Sequence, residues 1–509
     1  MENNCSNIYE NKICNFKPEK PEIIKEKIEL EDNEKELFSF LKGILIKNNL
    51  SNIILRVAGG WVRDKILNNK SSDIDIILEN ISPNEFIELI NKEKEKKNST
   101  FESKNLKKQK GIKIEYAKLI INNINIDVLK IINNPLEDSQ RRDFTINSLF
   151  YNINEEKIED FTKKGIFDLK NGIINTPIEP KDCFFKENDL GIFLRMIRFV
   201  CKYKFKISEN IIKCIFDNNS EYRKIIENKP INSEKITKEF SNIFLSDFPN
   251  FGILILYKLN LLDSIIQIKN FVFGPYKRKD EDMKNLINIF LVGNYLFNKK
   301  QKEINFIEEI VDFKISFYYS LLLCIFKDLK NEFQTSVIRL LLSKIFILNI
   351  DITHDIINMI FNFDDCIKIC NGDFNRVLIG KFIRKIKFKN LEKLLIIISS
   401  YQYIIKQNLK FVIEEINDIE LDKIYLFNKN VYNYVIKENL NECDKIKPFI
   451  SGKEIFEKYK YRFKNKNKSK WVSLLTESLI IKQIEIGEKN MNNIIAFETI
   501  ENKINTLNE

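Results

Sequence analysis

The 509 residues exceed what one compact core organises, so at least two domains are expected. Lysine and arginine number 82 against 72 acids, a net charge of +10 that permits a polyanionic partner and equally fits lysines solvating helices. The only histidine, His354, argues against serine–histidine or histidine–metal chemistry, and nine scattered cysteines, Cys366 and Cys370 the closest pair, read as packing residues in a reducing compartment.

Along the chain, residues 1–32 form a loose arm without an apolar signal region, so no cleaved secretion signal is expected. Leu37, Phe38, Leu41 and Leu45 then recur at helical spacing, with Asn33 as the expected cap. "NIILRVAGG" reads as a buried strand entering a glycine turn, and "WVRDKIL" as the helix that follows. "SDIDIILE" is a strand and "PNEFIELINKEKEKK" a helix. "IKIEYAKLII" and "INIDVLKII" read as a hairpin, preceded by the mobile loop "KKNSTFESKNLKKQKG". This mixture makes an α/β or α+β domain over 33–180. Beyond residue 180 the spacing is helical, and no apolar run reaches the length of a bilayer. The segment "KYKYRFKNKNKSKW" at 458–471 interleaves aromatics with lysines, which suits either RNA phosphates and bases or a solvated turn.

The chemistry concentrates in three places. Gly59 and Gly60 let backbone approach a ligand, the next helix aims free N–H groups there, and Arg63 lies one turn inside, in reach of a phosphate. Asp73 and Asp75 alternate on one strand and so share a face, where like charges repel unless a cation sits between them. Asp127 is a lone acid on a strand able to pair beside them. Three carboxylates from two strands suit two magnesium ions, one activating a hydroxyl and the other holding a nucleoside triphosphate. Each part has a plainer reading. A double glycine is commonly just a tight turn, "DID" occurs on exposed strand edges, and Asp127 is placed to pair with a lysine.

"RRDFTINSLFYNINEEKIEDFTKKGIFDLKNGIINTP" follows at Arg141. Together with "GGWVRD" and "DID" it closely resembles the class II tRNA nucleotidyltransferases, the CCA-adding enzymes and their poly(A) polymerase relatives, the eukaryotic branch best. The likeness spans the first domain and continues into "FLRMIRFVCKYKFKIS". It implies an α+β fold: a polymerase-beta-like nucleotidyltransferase head with a mixed sheet over 33–180, a helical neck over 181–270, and a helical body and tail over 271–509. It also implies magnesium-dependent addition of CMP, CMP and AMP from CTP and ATP to the 3′ end of tRNA, by two ions. Alternatives are CC addition only, A addition only, untemplated tailing, or an inactive RNA-binding homologue.

By this resemblance Asp73 and Asp75 carry the metals, with Asp127 as third acid. Gly59, Gly60, Arg63 and Arg142 meet the triphosphate, and Asp143 and Asn147, four apart on one helix face, shape the sugar pocket. Asp160, Gly165, Asp168, Leu169 and Gly172 match a motif that braces head against neck. The segment near "KKQKGIKIEYA" corresponds to one that moves during addition. The family's base-reading Glu-Asp-x-x-Arg falls on Asn188, Asp189 and, in place of its arginine, Ile192, which donates no hydrogen bond. Arg195 and Arg198 match further arginines, and Arg195 is one candidate substitute reader. The partners implied are tRNA, CTP and ATP, with no membrane. Such enzymes work inside the cell, so the cytoplasm is expected first, with nucleus or organelle as alternatives. Oligomeric state is not legible.

Overall fold

The computed structural model describes residues 8–9, 11–12, 14, 16–22, 24–71, 73–97, 116–121, 124–186, 190–228, 233–265, 280–304, 309–324, 338–339, 342, 346–372, 374–409, 411–463 and 467–508. Two compact units emerge. One comprises Met1–Glu10, Phe16–Ile231 and Ser246–Ile265; the other comprises Asn11–Asn15, Asn232–Leu245 and Ile266–Glu509. The expected mobile loop beyond Lys97, where a helix ends, and the moving segment before Tyr116, where a strand begins, lie outside the described residues.

In the first unit, α1 (Asp32–Lys47) buries Leu37, Phe38, Leu41, Ile44 and Leu45 along one stripe. Its expected cap at Asn33 is corrected. Glu31 is the cap residue, because Glu34 reaches back to accept the Glu31 N–H at 2.7 Å and so closes a capping box. A six-stranded mixed sheet follows, built from β1 (Ile54–Ala58), β2 (Asp73–Glu79), β3 (Tyr116–Ile121), β4 (Ile124–Lys130), β5 (Phe150–Asn152) and β6 (Lys157–Glu159). Its spatial order is β3-β4-β2-β1-β5-β6, with β2 and β4 parallel and the other neighbours antiparallel. Helix α2 (Gly60–Ile66) leaves β1, and α3 (Pro83–Lys97) connects β2 to β3. Phe38 packs edge-on against Trp61 at 5.8 Å, and the Trp61 indole N–H donates to Glu34 at 2.9 Å, so Trp61 belongs to the core.

Helix α4 (Gly165–Asn171) ends at Gly172, whose left-handed φ of +62° is one an L side chain resists. A Cβ there would lie 2.2 Å from the Glu19 carbonyl oxygen. The Gly172 carbonyl accepts from the Lys206 N–H at 2.8 Å, and strand β7 (Ile173–Ile174) pairs in parallel with β8 (Lys206–Ile207). These strands tie the segment after α4 to the chain leaving α5 (Leu190–Tyr203), the helix expected to form the neck. Asp168 is buried and accepts from the Thr145 hydroxyl at 2.7 Å, Gly165 leaves room for Leu149, and Asp160 accepts from the Ile166 N–H at 3.0 Å. Of the motif, Gly172 meets the Lys206 side of this joint, whereas Asp160, Gly165 and Asp168 make their contacts within residues 33–180. Gly172→Ala is expected to destabilise the first unit by about 2–4 kcal/mol, from backbone strain plus the displaced Glu19 carbonyl. Thermal melting checks this; an unchanged transition would contradict it.

The second unit is helical. α6 (Leu391–Gln407) buries most of its first three turns, and the Lys393 ammonium inside it donates to Ser316 at 2.7 Å and Asn390 at 2.9 Å. Near the C-terminus α7 (Gly452–Tyr459), α8 (Lys468–Ile486) and α9 (Asn493–Asn508) enclose Trp471, Leu475, Leu479, Ile500 and Ile504. Within the basic aromatic segment Tyr461 is exposed and Arg462 pairs with Glu501, while residues 464–466 lie outside the described residues. Cys366 and Cys370 are buried packing residues, and burial pushes the Cys366 thiol well above its ordinary value. No helix among the described residues is long and apolar enough to cross a membrane.

Candidate active site

The parallel pairing of β2 with β4 sets Asp73 opposite Asn125 and Asp75 opposite Asp127. Burial alternates along β2, with Ile74 and Ile76 inward, Asp73 exposed and Asp75 half-buried. The three carboxylates thus share one sheet face by strand periodicity alone. Burial and then the neighbouring Asp127 push the Asp75 carboxyl above its ordinary value; Arg142 and Arg195 oppose the shift, and Asp73 adds to it. Asp127 has Lys118 at 3.5 Å, so the plainer lysine pairing also exists.

The glycine turn seats this face against residues 141–149. Gly59 adopts φ +76°, its N–H donates to the Leu149 carbonyl at 3.1 Å, and a Cβ there would meet Arg142 Nη1 at 3.2 Å. The missing side chain is what leaves the Arg142 guanidinium in place. Arg142 pairs with the buried Asp138 at 3.1 Å and lies over the Phe150 ring at 5.1 Å. Burial lowers its pKa while Asp138, and more weakly Asp75, support the charge. Gly60 lies beside Arg63, a Cβ there meeting Nη2 at 3.5 Å.

Two expectations change here. Asp143 and Asn147 do not share an α-helix, because only Thr145–Asn147 form a single 3₁₀ turn after an extended Phe144. They still meet: the Asn147 amide donates to Asp143 Oδ1 at 2.9 Å, a local side-chain bond that replaces helical registration. Arg63 is not poised for a phosphate. It is buried, its Nε and Nη2 donate to Asp64 at 3.0 and 3.1 Å, Nη1 donates to Asn147, and its guanidinium lies over Phe199 and Tyr203 at 4.9 and 5.0 Å. The next residue in the chain, Asp64, captures the arginine fork bidentately and turns it inward.

From the neck helix, Arg195 reaches Asp143 Oδ2 at 3.1 Å, and Arg198 lies over the Phe199 ring at 4.4 Å. Asp189 and Asn188 lie outside the described residues. Ile192 is buried, 8% exposed. Arg142 Nε, Arg195 Nε and Asp143 Oδ2 are buried with no hydrogen-bond partner among the described residues, the last having only its ion-pair contact. Two orphaned guanidinium N–H groups in one site, Arg142 Nε and Arg195 Nε, are costly unless a polar ligand meets them. Asp138, Asp64 and Tyr203 escaped the sequence reading. The Asp four residues before Arg142 and the Asp adjoining Arg63 were the available signals; nothing local marks Tyr203.

The donor set fits a divalent cation. It is all carboxylate oxygen, a hard set, and burial followed by mutual repulsion already raises Asp75. As the side chains stand, no three of the described acids, histidines or cysteines converge into a ligand shell.

A family model, the Poly A polymerase head domain, matches residues 55–175. A mitochondrial CCA tRNA nucleotidyltransferase of Candida glabrata is 26% identical across 92% of this chain and 96% of its own length. The tRNA nucleotidyltransferase cca1 of Schizosaccharomyces pombe is 31% identical over 51% of this chain and 59% of itself. Among solved structures, a CCA-adding enzyme in complex with CTP superposes with TM-score 0.60 at 16% identity, covering 93% of this chain and 96% of that one. The Thermotoga maritima CCA-adding enzyme complexed with tRNA gives 0.57 at 16% identity, with the same coverage. At those identities the structural likeness speaks for the fold.

Proposed function

We propose that this chain, which belongs to the class II tRNA nucleotidyltransferase and poly(A) polymerase family, adds CMP, CMP and AMP from CTP and ATP to the 3′ end of tRNA. The observation that carries the reading is the in-register Asp75–Asp127 pair with Asp73 beside it, facing Arg142. In the reaction the 3′-hydroxyl oxygen of tRNA bonds to the α-phosphorus, the bond to pyrophosphate breaks, and the hydroxyl proton leaves. Magnesium ions held by Asp73 and Asp75, with Asp127 as third ligand, would lower the pKa of that hydroxyl and stabilise the leaving pyrophosphate.

The rest falls to this chain's own groups. Arg142 donates to the triphosphate through its orphaned edge, and Gly59 and Gly60 allow the close approach. Asp143 and Asn147 hold the sugar. Arg195, fixed to Asp143, orients that pair from the neck, with Arg198 beside it. The head over 33–180 performs the transfer, the neck over 181–270 selects the nucleotide with Asp189, and 271–509 carries tRNA by shape and backbone contacts. Work on tRNA puts it inside the cell, in cytoplasm, nucleus or organelle.

One observation favours a second reading. Ile192 is packed in the core, and Arg195 is engaged with Asp143, so neither of these two residues offers a free donor where the family reads the base. Discrimination between C and A is then expected to fall by about ten- to a hundredfold, or the enzyme to add one nucleotide kind. Pyrophosphate release from CTP and ATP tests the transfer itself. It is expected to need both tRNA and a divalent ion and to stop with EDTA. Release without tRNA, or unaffected by EDTA, would contradict this chemistry.

A further inference from the structure

The neck helix carries Arg195, Phe199 and Tyr203 at four-residue steps, one turn above another on neighbouring parts of one face. From Arg195 a chain of polar side chains leaves the helix, and at Tyr203 it returns. Arg195 Nη1 meets Asp143 Oδ2 at 3.1 Å, and Asp143 Oδ1 accepts from the Asn147 amide at 2.9 Å. Asn147 Oδ1 accepts from Arg63 Nη1, and Arg63 Nε donates to Asp64 Oδ1 at 3.0 Å. The ring closes where the Tyr203 hydroxyl donates to that same Asp64 Oδ1, at 2.8 Å. Phe199 lies inside it, with the guanidinium groups of Arg63 and Arg195 4.9 and 5.8 Å from its ring.

In this circuit Arg63 has little freedom. Two aromatic rings bound its planar face, and Asp64 takes two of its nitrogens, so Nη1 points where Asp64 directs it. Asp64 in turn is held by the Tyr203 hydroxyl. Phenylalanine would fill the Tyr203 site as well, and a half-buried hydroxyl repays its desolvation only by bonding a strong acceptor. Burial raises the Tyr203 pKa, which keeps it a donor.

We propose that Tyr203 and Asp64 are positioning residues for nucleotide binding: they aim Arg63 at Asn147, and so couple the placement of the neck helix to the Asn147–Asp143 pair. This rests on the reading of that pair as the sugar pocket. Neither residue touches the reacting atoms; each acts through Arg63.

The test is equilibrium binding of ATP and CTP, with magnesium, to the full-length protein and to Tyr203→Phe, Asn147→Ala and the double variant, beside steady-state extension of tRNA. Tyr203→Phe removes one oxygen and keeps the ring over Arg63. It is expected to weaken binding of both nucleotides, and raise their KM, by about tenfold, with kcat within about twofold. In the Asn147→Ala background the same change is expected to have no further effect, because the circuit is already open. Asp64→Asn, which keeps the shape but surrenders the charge, is expected to act in the same direction and more strongly. A lowered Tm with unchanged nucleotide binding, or full additivity with Asn147→Ala, would overturn the proposal. A wild type that binds nucleotides without extending tRNA contradicts the activity and leaves the binding arm to judge the circuit. One that binds neither nucleotide overturns both.

Discussion

Replacing Asp73 and Asp75 together by alanine is expected to reduce nucleotide addition by about ten-thousandfold or more, while the first unit stays folded. A loss of that size is about 5.5 kcal/mol of transition-state stabilisation, within what bound metal supplies to phosphoryl chemistry. The fold is spared because Ile74, Ile76, Ile77 and Leu78 hold β2 in the sheet, whereas Asp73 is exposed and Asp75 half-buried. Electrostatics adds a second expectation. The folded-state pKa of Asp75 is raised by burial and by Asp127, so its ionised form burdens the folded state at neutral pH. That burden lifts as pH falls through the raised pKa and the group takes a proton. Asp75→Asn should therefore melt higher than wild type at neutral pH without added metal, with the difference shrinking on acidification. Divalent metal should raise the wild-type Tm and leave that of Asp75→Asn nearly unmoved. Undiminished addition by the double alanine variant would sink the mechanism. A lower Tm for Asp75→Asn would refute the electrostatic part alone.

Arg142→Met should cost about a hundredfold in kcat/KM, from the loss of charge-assisted bonds to the triphosphate. It also deprives Asp75 of the first of its two opposing positive charges. The Asp75 pKa then rises further, and the acid limb of the pH–rate profile moves to higher pH. Stability should suffer less, because Asp138 keeps its 2.7 Å pair with Arg141. Arg142→Lys retains the charge and should restore the limb toward wild type, while recovering only part of the rate because a lysine cannot donate bidentately. An acid limb unmoved in Arg142→Met would separate this arginine from the acids.

What the sequence disclosed was whatever depends on local periodicity. The two-residue repeat of "DIDIILE" placed Asp73 and Asp75 on one face, and "PNEFIELINKEKEKK" coincides with its helix from Pro83 to Lys97. The facing of Asp127 onto Asp75 needed only the assumption that their strands are neighbours. Reading was less successful where side chains compete for one partner. Arg63 looked free because its position one turn into a helix is visible, while its capture by Asp64 is a rotamer outcome. The Asp143–Asn147 spacing suggested a helix, yet asparagine bonded locally and made a turn. Tyr203 was invisible for a different reason. Its partner Asp64 lies 139 residues away, and no spacing rule joins them.

The most direct measurement is the length of product formed on tRNA transcripts ending before CCA, with magnesium and CTP, ATP or both. Sequential CCA addition predicts a stop after two residues with CTP alone and one further residue with both, and the absence of an arginine at Ile192 predicts misincorporation beyond that pattern. No extension under any of the three conditions would contradict the proposed activity.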